Sequence, residues 1–246
     1  MDRLIYTAAS GAKHILEQQA TTSNNLANVN TTGFRAQLDV FRAVPVQSEG
    51  LPTRAFVVNS TAAADFTPGA LQVTGRELDV AVKGEGWLAV QMPDGTEAYT
   101  RNGSLQTSQN GLLTTAGGAT IAGEGGPITI PPDVTVTVGG DGTISTISTT
   151  DQPAAANILG RLKLVNPPTQ DLVRGDDGLF RLKDGGTAQV DPAVRVAGGA
   201  LEGSNVSAVD SMVNMISLAR SFETQMSLLK NAENNAAKAT QILALN

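Results

Sequence analysis

Cysteine is absent from the 246 residues, and histidine occurs once, at His14. Without thiols the chain has no disulfide framework, no Cys-based zinc site, no thiol nucleophile and no iron–sulfur cluster. A single imidazole also excludes metal sites that need two histidines. Aromatic residues are only 4% of the chain while glycine reaches 26 residues, so bulky core-filling side chains are scarce and turns are plentiful. No stretch approaches the roughly 18 consecutive apolar residues of a membrane span. Met1 to Gln19 lack the basic start and apolar core of a cleaved secretion signal. Basic residues are the minority, 17 against 23 acidic for a net charge of −6, which argues against nucleic acid as a partner.

That imbalance is confined to the middle. Residues 1–40 carry three basic and three acidic side chains, and so do residues 203–246. The neutral ends suit packing against protein, and the acidic centre suits water. Both ends read as helices. Over residues 4–29 the positions Ile5, Ala8, Ala12, Ile15, Gln19, Thr22, Leu26 and Val29 recur at alternating steps of three and four, the spacing of a coiled-coil seam. Thr31-Thr32-Gly33 ends the helix, with Gly33 suited to a left-handed cap, which predicts that Asn is tolerated there better than Val. At the other end Ser207 and Asp210 form a capping pair. A second seam follows through Val209, Met212, Ile216, Ala219, Phe222, Met226, Leu229 and Ala232, in a helix of more than 30 residues with no Pro or Gly inside it.

Between the helices the pattern changes to short alternating segments: 78–82, 87–90, 134–138 and 160–165. Asn-Gly and Asp-Gly pairs at 94–95, 102–103, 110–111, 141–142, 177–178 and 184–185 supply turns. The expected fold class is therefore α+β, with N- and C-terminal helices forming a coiled-coil-like assembly domain around a mainly antiparallel β domain. The divisions are an N-terminal assembly helix over 1–36, an extended connector over 37–75, the β domain over 76–190, a connector over 191–203 and a C-terminal assembly helix over 204–246. The seams are thin in large apolar residues, so the ends are expected to order against neighbouring copies, leaving a protected core near residues 40–203.

Few residues suggest chemistry. Gly84-Glu85-Gly86 loosely matches a dinucleotide-binding turn, but an apolar strand follows where a helix is needed, so a hairpin is expected. Arg174-Gly175-Asp176 precedes an Asp-Gly turn and reads as part of it. Asp141, Asp176 and Asp177 fall in no spaced set of calcium ligands. Asp65, Glu77, Asp79, Glu85 and Glu97 offer carboxylates with nothing to single out a pair for glycoside hydrolysis. Met212, Met215 and Met226 suit an adaptable packing face. The expectation is a protein that is not an enzyme and uses no cofactor and no metal. A β-domain protein that binds or cleaves cell-wall glycan, with helical oligomerisation tails, is the alternative of a different class.

One stretch stands well above background: Ser23-Asn24-Asn25-Leu26-Ala27-Asn28-Val29-Asn30-Thr31-Thr32-Gly33-Phe34 joins an Asn-rich helix end to a Gly-Phe exit. Asn24 and Asn28, four apart, share a face where their amides could bond a partner helix. This dodecamer resembles the N-terminal motif of the bacterial flagellar axial family, the rod and hook proteins. Leu201-Glu202-Gly203-Ser204-Asn205-Val206, Met212-Val213-Asn214-Met215-Ile216 and Arg220-Ser221-Phe222-Glu223 resemble the family's other end, in the correct order. The opening Met1 to Ala8, with Arg35-Ala36-Gln37-Leu38, 42–46, 160–165 and 174–178, is similar to its proximal-rod branch; the distal rod or hook is the same-class alternative.

The resemblance implies a structural subunit of the flagellar basal-body rod, exported without a cleaved signal by the flagellar type III apparatus and assembled in the periplasm. Its terminal helices line the axial channel with those of related rod proteins and further copies of itself, and the β domain lies outside them. Neither nucleic acid nor membrane insertion enters. The assembly interface expected is Ile5, Ala12, Ile15, Asn24, Asn25, Leu26, Asn28, Gly33 and Phe34 from the N-terminal end. Asn205, Val209, Met212, Ile216, Phe222, Met226 and Leu229 complete it from the C-terminal end.

Overall fold

The computed structural model describes residues 2–45, 55–148 and 156–243. Two long helices mark the ends, α1 (Asp2–Ala27) and α2 (Ala208–Leu243). α1 stops two residues short of the expected end because Asn28 competes for its last turn. The Asn28 amide N–H bonds both the Asn24 and Asn25 carbonyls, and its side-chain Nδ2 donates to the Asn24 carbonyl at 2.9 Å. α2 begins as the capping residues indicate, with the Asp210 N–H donating to Ser207 Oγ at 3.3 Å.

Eighteen strands lie between the helices among the described residues. In chain order they open with β1 (Gln37–Pro45), β2 (Ala55–Ala64), β3 (Leu71–Val73), β4 (Val80–Lys83), β5 (Trp87–Gln91) and β6 (Glu97–Thr100). There follow β7 (Leu105–Thr107), β8 (Leu113–Thr115), β9 (Thr120–Gly123), β10 (Gly126–Pro127), β11 (Val134–Val138) and β12 (Thr143–Ser148). The last six are β13 (Ala156–Arg161), β14 (Leu164–Val165), β15 (Leu172–Arg174), β16 (Phe180–Leu182), β17 (Arg195–Gly198) and β18 (Ala200–Glu202). The chain is α+β, and its described strand pairings are antiparallel.

The chain divides into two units, one of residues 1–29, 36–65 and 206–246, the other of 30–35 and 66–205. In the helical unit α1 packs along α2, and β1 and β2 form a long ladder from Gln37 opposite Ala64 to Pro45 opposite Ala55, with a bulge between Val40 and Phe41. The segment read from sequence as an extended connector is thus extended but paired, and Pro45 sits at a strand end, where its missing N–H costs least.

In the β unit a nine-stranded sheet is built on the order β15-β16-β6-β5-β9-β8-β7, with β10 on β9 and β14 on β5. β11, β12 and β13 make a three-stranded sheet, and β17–β4 and β18–β3 are separate pairs. The core gathers Val80, Val82, Leu88, Val90, Leu113, Ile121, Ile144, Leu162 and Val196. A small aromatic cluster accompanies it, with the Trp87 and Phe180 ring centroids 4.7 Å apart.

Two sequence readings change here. Gly84–Gly86 does not close a hairpin: it joins β4 to β5, which belong to different sheets. Residues 191–203, read as a connector, carry β17 and β18, whose partners lie more than 100 residues earlier. Alternation within a short segment does not reveal such distant pairing.

Candidate functional site

In the helical unit the expected seam of α1 is the inward one. Ala8 and Ala12 are buried, and Ile15, Gln19, Thr22, Leu26 and Val29 are half-buried. The Ile5 side chain lies outside the described residues. Small residues let the helices approach closely: a Cβ placed on Gly11 would stand 3.5 Å from Gln225 Cδ. The α1 face is tied to β1 by polar contacts as well. Asn25 Nδ2 donates to the Gln37 carbonyl at 2.9 Å while the Gln37 N–H donates to Asn25 Oδ1 at 2.8 Å, so the amide stands in for a strand neighbour. Thr21 Oγ1 donates to Asp39 Oδ1 at 3.0 Å, and His14 lies edge-on to Phe41 with Nδ1 3.1 Å from Glu17 Oε2.

α2 differs from its sequence reading. Its inward line runs through Ser211, Met215, Leu218, Phe222, Gln225, Leu229 and Ala232, at steps of four and three. Of the expected seam, Ala219, Phe222 and Leu229 are half-buried and Ala232 is buried, whereas Val209, Met212, Ile216 and Met226 are exposed. The expected seam shares Phe222, Leu229 and Ala232 with the inward line and elsewhere runs about one residue off it. α2 is apolar on two faces, and α1 meets the one that includes Ser211 and Gln225. The other is left open as a stripe of Val209, Met212, Val213 and Ile216, exposed by 70, 52, 56 and 54%. These four are spaced i, i+3, i+4 and i+7, one continuous face two turns long.

The β unit holds a feature that neither hydrophobic periodicity nor turn dipeptides indicate. Arg35, Arg101 and Glu202 form a buried clasp whose side chains are 0, 3 and 0% exposed. Arg35 Nη2 lies 2.7 Å from Glu202 Oε1, and Arg101 Nη1 lies 2.9 Å from Oε2. The Gly69 N–H donates to Oε1 at 2.8 Å, and Arg101 Nη2 donates to the Gly84 carbonyl at 2.7 Å. Burial pushes the Arg101 guanidinium below its ordinary pKa, and the Glu202 carboxylate opposes that shift. The guanidinium also lies over the Trp87 ring, 5.3 Å from its centroid. Burial lowers Arg174 as well; it donates to the Arg35 carbonyl at 2.9 Å and covers the buried Phe34 ring at 4.5 Å.

Main-chain contacts close the same junction. Gly33 has φ +69° and donates its N–H to the Glu202 carbonyl at 2.7 Å, and the Asn205 N–H reaches the Phe34 carbonyl at 3.4 Å. Asn205 Nδ2 donates to the Thr67 carbonyl at 3.1 Å. The left-handed conformation expected of Gly33 is present, but its surroundings argue against the expected tolerance of Asn. A Cβ at Gly33 would lie 2.4 Å from the Arg101 carbonyl carbon and from the Asn102 nitrogen, so any side chain there requires that peptide to shift. Of the two amides expected to face a partner helix, Asn28 Nδ2 bonds its own helix at Asn24, and Asn24 is exposed. The only sequence signal for the clasp was a charged residue inside two otherwise apolar or glycine-flanked stretches, Phe34-Arg35-Ala36 and Leu201-Glu202-Gly203.

Three family models cover these features. Residues 5–35 match the flagella basal body rod protein model, and residues 197–242 match the flagellar basal body rod FlgEFG protein C-terminal model. Residues 81–146 match the flagellar hook protein FlgE/F/G D1 domain. The flagellar basal-body rod protein FlgF of Escherichia coli (strain K12) is 49% identical over the whole of both chains. The chain belongs to the flagellar basal-body rod protein family. The FlgF of Caulobacter vibrioides is 32% identical over 99% of this chain and 98% of its own. The rod protein FlgG of Buchnera aphidicola subsp. Schizaphis graminum is 31% identical over 89% of this chain and 92% of its own. As a member of this rod family the chain is a structural subunit of the flagellar basal body and not an enzyme. The N- and C-terminal models between them hold Arg35 and Glu202, two of the three clasp residues.

Proposed function

We propose that this subunit builds the proximal rod by self-assembly through its terminal helices, its open α2 stripe meeting the helices of further copies and of related rod proteins. The observation that carries this is the stripe of Val209, Met212, Val213 and Ile216, which stays exposed after α1 has covered the other face. Exposed contiguous apolar surface of this kind marks an interaction surface. Identity to FlgF along the full chain supports the proximal position over the distal rod. The helices then line the axial channel, and assembly takes place in the periplasm after export by the flagellar type III apparatus. Ile216→Asp tests the reading. The side chain is exposed in the single chain, so the variant folds with unchanged stability, yet each copy joining the tube buries an unpaired carboxylate at a cost of several kcal/mol. Basal bodies isolated from cells carrying Ile216→Asp should lack rods while the exported protein accumulates; intact rods and normal swimming reject the stripe as the interface.

A further inference from the structure

Both cations of the clasp come early in the chain and their shared counter-ion comes late: Glu202 follows Arg35 by 167 residues and Arg101 by 101. A buried carboxylic acid or lysine can escape a missing partner by changing protonation, but arginine has no neutral form available in a protein. Without Glu202, closing this unit buries two guanidiniums with no carboxylate at salt-bridge distance among the described residues. The same late stretch completes the strands. β17 covers β4, where Val80, Ala81 and Val82 are fully buried, and β18 pairs with β3. It also supplies the carbonyl that takes the Gly33 N–H, and the Gly203 N–H that bonds the Ala70 carbonyl at 2.8 Å. Segments from four parts of the sequence, near residues 33–35, 69–70, 101 and 202–203, therefore meet around one carboxylate.

We infer that Glu202 is the closing lock of the β unit: residues 30–35 and 66–201 are not held closed until its carboxylate docks, and that docking is the last step of folding. The lock belongs to the isolated chain. Its use rests on the rod reading above, since a subunit that closes only when synthesis is nearly finished remains threadable through an export channel until then.

The test uses the full-length protein, with Trp87 fluorescence reporting the β unit in denaturant-jump kinetics. Glu202→Gln keeps the size and removes the charge. A contact absent from the folding transition state changes only the unfolding rate. Unfolding should therefore accelerate about 100-fold or more, as for a broken buried ion pair, while refolding stays within about twofold of the parent. Slower refolding with unchanged unfolding, or no change in either rate, overturns the lock. Arg101→Lys, a milder lesion at the same carboxylate, is read in the same way if the glutamine variant does not fold. Hydrogen exchange on the unaltered chain gives an independent arm. The Gly33, Gly69 and Gly203 amides should exchange as slowly as Val90 and Ile121; exchange about tenfold faster means that the unit survives with the lock open, which sinks the inference. These readouts need neither export nor assembly, so failure of the rod reading leaves them intact.

Discussion

At Gly33 two constraints coincide, and together they select glycine. The backbone is left-handed, which strains a residue with a Cβ by about 1–2 kcal/mol, and the Arg101–Asn102 peptide occupies the space a Cβ would need. Gly103 shows the second constraint by itself. Its φ is not positive, yet a Cβ there would fall 1.6 Å from the Val80 carbonyl oxygen. The dipeptide Asn102-Gly103 suggested a turn glycine, whereas the position is one of close backbone approach. Residue type was legible in both cases and the reason was not, because the crowding atoms come from remote parts of the chain. Gly33→Asn and Gly33→Val should therefore destabilise the β unit alike, by at least about 2–3 kcal/mol. Denaturant titration followed by Trp87 fluorescence checks this, and near-parental stability for the Asn variant would show that the Arg101–Asn102 peptide can move aside.

Among the elements, α1 and α2 show how far periodicity reaches. Ala8, Ala12 and Ile15 fell on the correct face of α1 because that helix has a single apolar line, edged by charged and amide side chains. α2 offers apolar residues at two phases, so hydrophobic spacing alone could not choose between them. The choice is made by α1, whose Gly11 admits Gln225. Phe222→Ala should then weaken the helix pair by about 1–2 kcal/mol, roughly half the cost at a fully buried site. Val213→Ser, on the open stripe, should stay within about 0.5 kcal/mol. Far-UV circular dichroism during denaturation separates the two, and equal effects would mean that the faces of α2 have been exchanged. The strands were legible where alternation is strong, as in β11, and invisible where pairing is distant, as in β17 and β18.

Across the whole molecule the apolar interior is unevenly shared. Ala8, Ala12 and Ala232 are the buried apolar side chains described in the helical unit, whereas the β unit buries Val, Leu, Ile, Trp and Tyr side chains in quantity. Burial stabilises in proportion to apolar area, so the helical unit is the weaker of the two. The helical signal of the isolated chain should accordingly be lost at lower denaturant than the Trp87 signal, as two transitions that do not coincide. Coincident transitions would show the units to be one cooperative body. Residues 30–35 should share the protection of the β unit, because Phe34 and Arg35 are buried in it.

A helix with one face satisfied at home and another left vacant has a consequence for how a polymer of such subunits ages. Under the assembly proposed above, the contacts that define the subunit and those that bind it to neighbours use different side chains of α2. A subunit at the end of the tube can therefore be lost and replaced without refolding, and an error made during growth is reversible until the next layer covers it. Proofreading of the shaft then needs no separate machinery: it is the difference between a copy held on one side and a copy held on both.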